Sequence, residues 1–206
     1  MKSVGRKTGR PRGRPRSFDR DEALERAVHL FWKQGYDGTS INDLTSAMGI
    51  TPPSLYGAFG HKERLFLEAV GKYERGPGRS ASAQARVEPT ARAAVHTMLR
   101  ASAVEFTRPI HPPGCMVIGS ALTSADAPPR LRAALRKRRA VAEAFFRSLL
   151  KRGIGTRELP ESTDVRRLAG YFMTVLEGMT IQARDGATRE KLLAVAEVAM
   201  LAWPSP

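Results

Sequence analysis

A single cysteine, Cys115, stands in the 206-residue sequence, so no disulfide can form within the chain. Histidine is scarce too, and no Cys/His cluster has zinc-ligand spacing, so no metal site is expected. No apolar run approaches the roughly 18 residues of a membrane span. The N-terminus is basic, but Gly, Pro and Arg fill the place where a secretory signal carries its apolar segment. A cytoplasmic protein without membrane contact is expected. No nucleophile–base pair or carboxylate constellation suggests catalysis, so an enzyme is not expected and no cofactor is implied.

Acid is missing where base is plentiful. Seven bases (Lys2, Arg6, Lys7, Arg10, Arg12, Arg14, Arg16) precede the first acid, Asp19. Of the net charge of +14, residues 1–18 carry +7 and residues 130–152 carry +8, whereas residues 19–75 sum to −2. Two segments therefore hold nearly all the basicity, and a polyanion such as nucleic acid is the leading partner.

Gly and Pro divide the chain into helical segments. Asp19 and Glu22 form a capping-box pattern before Leu24, Ala27, Val28 and Phe31 recur at helical spacing, and Gly35 ends that helix. Thr39 or Ser40 can cap a short helix bearing Ile41, Leu44 and Met48, which stops at Gly49. Thr51 is a natural cap for a third, with Pro52 at its first position, and a fourth starts near Lys62. Gly76-Pro77-Gly78 breaks the pattern, and residues 76–89 read as a linker. Beyond it, periodic segments span about 90–108, 115–124, 128–152, 164–184 and 188–203. Alternating strand patterns and internal repeats are absent. The fold class is all-α, with about nine helices. A basic arm (1–17) precedes a helix-turn-helix domain (18–75), the linker (76–89) and a helical body (90–206).

Two short helices joined by a tight turn at Gly49-Ile50 suit a helix-turn-helix, whose second helix enters the major groove. Leu44, Met48, Ile50 and Leu55 face inward. Thr51, Pro53, Ser54, Tyr56 and Gly57 are left outside, where hydroxyls can meet phosphates or base edges. At these residues the sequence resembles the tetracycline-repressor (TetR) family. The likeness runs over residues 14–73 and is most specific in "LFWKQGYDGTS" and "GITPPSLYGAFGHKE". The ending "VLEGMTIQARDGATREKLLAVAEVAMLAWP" (175–204) is similar to the last two helices of one branch.

The resemblance implies a homodimeric repressor on a palindromic operator of double-stranded DNA, released by an unidentified small-molecule inducer. It places Thr39 or Ser40, Tyr56 and Lys62 at phosphates, and Thr51, Pro53 and Ser54 at the opening of the recognition helix. Two departures stand out. Gly57 and Ala58 replace larger residues that reach bases, and His61 replaces the usual Ser, Asp or Asn cap. A poor cap, His61 reads as an exposed loop histidine.

The head is slightly acidic, so the arm gains weight. "RGRP" at Arg12–Pro15 is similar to the core of an AT-hook, in which arginines enter a narrow minor groove. Sixteen extended residues reach up to about 53–58 Å. Arg10, Arg12, Arg14 and Arg16 are thus candidate DNA contacts, either in an A·T-rich groove or as a nonspecific arm.

In the body, Leu168, Phe172, Val175, Met179, Leu192, Val195, Ala196 and Ala199 form stripes with the apolarity of a dimer interface. Leu131, Leu135, Ala142, Phe145 and Leu149 form another stripe, whose missing member is Arg138. That arginine wants a carboxylate, from a ligand or from Glu105 or Glu177. The neighbouring Arg132, Arg136, Arg139 and Arg147 read as one solvated face. Met98, Phe106, Met116, Phe172 and Met179, with Cys115 and Arg138, could line a pocket for a small apolar or aromatic ligand. A helix start at Cys115 could lower its thiol pKa, which leaves a redox-responsive regulator as one alternative. An architectural A·T-rich DNA-binding protein without inducer is the other.

Overall fold

The computed structural model describes residues 18–121 and 124–204. The basic arm, with Arg10, Arg12, Arg14 and Arg16, lies outside the described residues. Among those described there are ten α-helices and no strand. The head comprises α1 (Arg20–Gln34), α2 (Ile41–Met48), α3 (Pro52–Phe59) and α4 (Lys62–Arg75). The body follows as α5 (Ser80–Arg86), α6 (Ala91–Phe106), α7 (Met116–Gly119), α8 (Pro129–Gly155), α9 (Val165–Arg184) and α10 (Arg189–Ala199). Short 3₁₀ turns precede α5 and follow α10.

Local chemistry sets the head boundaries. Asp19 accepts the backbone N–H groups of Asp21 and Glu22 at the start of α1. Ser40, rather than Thr39, caps α2, and a full capping box with Asp43 closes it. Gly49 ends α2 at φ 69°, a left-handed conformation that costs glycine little and makes the tight turn possible. His61 caps α4 after all: its Nδ1 accepts the Arg64 N–H at 3.3 Å. An imidazole nitrogen without a proton is an adequate acceptor, so the departure from Ser or Asp keeps the cap.

Two segments differ from expectation. Residues 80–86 of the supposed linker form α5, because Ala81 and Ala85, one turn apart, pack against the body core. Small side chains there signal close helix approach, not flexibility. Among the described residues of the segment 115–124 only the four-residue α7 forms, and there the Ser120 hydroxyl bonds back to the Met116 carbonyl at 2.6 Å and competes with continued helix.

The molecule has two cores. Phe31, Leu44, Leu55, Phe59, Leu65 and Phe66 fill the head, where the rings of Phe31 and Tyr36 both meet Phe66 edge-on. That core also takes Met116, Val117, Leu131 and Leu135 from α7 and α8. Leu99, Phe146, Leu150, Phe172, Leu176, Met179 and Leu192 form the body core. The α8 stripe therefore serves both cores in turn, and Arg138 falls at the seam between them. Its partner there is Glu74, at 3.2 Å, and not Glu105 or Glu177. An arginine on an apolar stripe is explained by a change of neighbours along one long helix.

Candidate nucleic-acid interface and the cavity behind it

On the outer face of α3, Thr51, Pro52, Pro53, Tyr56 and Gly57 are exposed and Ser54 is half-exposed. The helix contains no charged residue and no Asn or Gln. Bidentate readout of guanine or adenine is thus beyond it. What it offers is the Thr51 and Ser54 hydroxyls, 3.0 Å apart, the Tyr56 phenol, and proline rings able to touch thymine methyls. Prolines at the first two helical positions also remove two backbone donors, so this helix start is a weak anion site.

Gly57 faces open space: a Cβ built there meets nothing within 4 Å. Gly57→Ala is therefore expected to stabilise the head by about 0.5–1 kcal/mol, read from urea unfolding. A loss of stability would show that this face of α3 is not free.

Of the residues expected at phosphates, Tyr56 is 51% exposed and Ser40 is exposed at its capping box. Thr39 is not available. It is buried, and its hydroxyl donates to the Gly35 carbonyl at 2.7 Å, so it shapes the turn before α2. Lys62 lies with its ammonium 4.2 Å from the centre of the Tyr36 ring, and burial draws its pKa down against the pull of Asp37 and Asp43. Several head bases are already engaged. Arg20 holds Glu68 through two bonds of 2.6 and 2.8 Å, which keeps that carboxyl below its ordinary range. Arg26 pairs with Glu22, and Lys72 with Asp21 and Glu25.

These features fit one protein family. The family model "Bacterial regulatory proteins, tetR family" matches residues 23–69, and "Tetracyclin repressor-like, C-terminal domain" matches residues 89–197. The chain belongs to the tetracycline-repressor family. It is a DNA-binding transcriptional regulator and not an enzyme. The HTH-type transcriptional repressor ComR of Escherichia coli K12 is 34% identical over 188 residues, covering 91% of this chain and 90% of ComR. A cysteine mutant of the TetR family regulator CifR, complexed with a 26bp double-strand operator DNA, is 45% identical. It superposes with a TM-score of 0.89, covering 93% of this chain and all of that one. A TetR regulator from Rhodococcus sp. RHA1 shares 36% identity at a TM-score of 0.58, over 91% of this chain and all of that one.

Behind the head of this TetR-family regulator lies a cavity of about 650 Å³. It is bounded by the end of α4, the turn and helix of 77–86, and α6, α7, α8 and α9. Met98, Phe106, Cys115 and Arg138 line it, as the sequence suggests. Met116, Phe172 and Met179 do not. Met116 belongs to the head core, while Phe172 stacks on Phe146 and Met179 is buried in the body core. Helical spacing marks a buried face but cannot tell a cavity wall from a filled core. Arg139 was read as solvated, yet it is half-buried on the cavity wall. Cys115 sits half-buried beside the Tyr73 hydroxyl, and burial pushes its thiol pKa up, opposite to the lowering expected of a helix start. The four-residue α7 has too little dipole to offset that burial.

Sequence reasoning missed the joint between head and body. The indole N–H of Trp32 donates to the Gly114 carbonyl at 3.0 Å, and its ring stacks on His111 at 4.3 Å. From α9, Arg184 donates to the Trp32 and Lys33 carbonyls at 3.1 and 3.2 Å, capping the end of α1. Two further ties, Arg130–Glu63 at 2.6 Å and Arg138–Glu74, bind α8 to α4. No sequence signal links residues 150 positions apart. Arg184→Ala is expected to cost about 1–3 kcal/mol, since it strips charged donors from two carbonyls. Chemical unfolding measures this, and an unchanged midpoint would remove Arg184 from the joint.

Proposed function

We propose that the regulator is a homodimeric repressor, working in the cytoplasm, that leaves a palindromic operator when a small molecule fills the cavity. One observation carries this reading. The cavity is walled by Glu74 on α4 and Arg138 on α8, so the two helices that meet at the seam also surround the ligand space. An occupant that shifts α8 shifts the anchor of α4, and α4 follows directly on the recognition helix. The repressor relative ComR and the operator complex of CifR support the DNA half of the reading.

We place the dimer face on other residues of the same helices than the sequence suggested. Phe172, Met179, Leu192, Ala196 and Ala199 are buried in the chain's own core, and Leu168, Val175 and Val195 are half-buried against it. The opposite face of α9 and α10 still exposes Tyr171, Ile181 and Val198, with Leu201 in the turn that follows, and those side chains suit burial against a second copy. No helix among the described residues is long and apolar enough to cross a membrane.

Selection of bound fragments from random DNA tests the whole reading. A two-fold symmetric consensus is the expected result. Broad A·T-rich enrichment without symmetry would favour the architectural alternative and sink the repressor.

A further inference from the structure

The charge on the cavity wall says more than its size. Five bases (Arg79, Arg86, Lys137, Arg138 and Arg139) line it, against two acids, Glu74 and Glu105. Both acids are already matched. Glu74 holds Arg138, and Glu105 holds His111 at 3.0 Å and Arg108 at 3.2 Å. That leaves four bases with no carboxylate partner among the described residues. Arg86 rests over the Phe145 ring at 4.7 Å. Arg139 is the informative one. Its Nη1 is buried and makes no hydrogen bond among the described residues. Arg139 itself is half-buried, and a buried guanidinium N–H left without an acceptor is unfavourable. The wall also has apolar residues, among them Met98, Phe106, Ile118 and Leu176.

We propose that the cavity takes an organic anion, a carboxylate on an apolar body, whose charge is met by the bases of the wall, Arg139, Lys137 and Arg79. The inference rests on the reading of this cavity as the inducer site and adds the sign of the ligand. It sharpens the apolar or aromatic molecule expected from the sequence. It also suggests a route to release: a ligand carboxylate beside Arg138 competes with Glu74 for that guanidinium. The tie between α8 and α4 then loosens without any covalent step.

Isothermal titration of the full-length protein with matched probes provides the test. Octanoate and 4-phenylbutyrate are compared with octan-1-ol and 4-phenylbutan-1-ol. Each acid is expected to bind at least about tenfold tighter than its alcohol, the range of a charge-assisted bond. Arg139→Met should abolish that preference while the alcohols keep their affinity. The same variant should raise the thermal midpoint of the ligand-free protein, because it removes a buried donor that has no acceptor. Equal affinity for acids and alcohols overturns the anion proposal and leaves the cavity reading intact. A lowered midpoint in Arg139→Met also overturns it. Failure of all four probes to bind the unaltered protein overturns the cavity reading itself.

Discussion

Removal of residues 1–16 is expected to reduce the slope of log affinity against log salt by about six. Those residues hold seven bases and no acid. Each base at a phosphate releases close to one condensed counterion, so seven contacts correspond to that change. The head cannot supply the same effect. It sums to −2, α3 has no charge, and two prolines occupy the helix start that would otherwise bind phosphate. Of its bases, Arg20, Arg26 and Lys72 already hold carboxylates. Filter binding between 50 and 200 mM salt measures the slope. A change of less than about one would mean that the arm meets few phosphates. Flanking sequence decides the arm's mode. If truncation weakens binding more beside A·T-rich than G·C-rich flanks, the arginines enter a minor groove, as the likeness of "RGRP" to an AT-hook implies. An equal loss on both leaves a nonspecific arm.

Ile181→Asp is the second variant with a large expected effect. Ile181 is 41% exposed on the outer face of α9, so a single chain tolerates a carboxylate there. In a two-fold interface the substitution occurs twice and buries two like charges without partners. About 3–5 kcal/mol is lost from the dimer, which raises its Kd by more than two decades. Operator affinity should fall with it, because two heads held together act at high effective concentration and separate heads do not. Light scattering reads the mass, and circular dichroism checks that the helices remain. A dimer that persists at micromolar concentration would move the interface off this face.

The head was legible because its signals are local. Asp19, Gly35, Gly49 and Pro52 each act within one turn of the residue they punctuate, and the structure starts or ends its helices at these points. The recognition helix was equally plain: Leu55 is buried while Pro53, Tyr56 and Gly57 stay outside, as its spacing requires. In the body the same spacing was ambiguous. Phe172 and Phe145 sit on equally apolar stripes, yet one fills a core and the other lines a cavity. Which outcome holds depends on the helix opposite, and periodicity along one chain does not carry that information. The alanine-rich residues 80–86 failed for a related reason. Small residues mark a loop or a close contact alike, and only α6 beside them decides.

The sequence by itself determined the helices of the head, the turn that places α3 outward, the separation of basic arm from acidic head, and the family. Caps, turns and net charge act over a few residues or over none at all. Tertiary structure alone decided that α8 belongs to two cores, that Arg138 answers Glu74, that Arg184 caps a helix about 150 residues away, and that Arg139 lines a cavity with one buried nitrogen unpaired. Each of those depends on which surfaces meet, and burial, not spacing, gives a charge its partner or leaves it waiting for one.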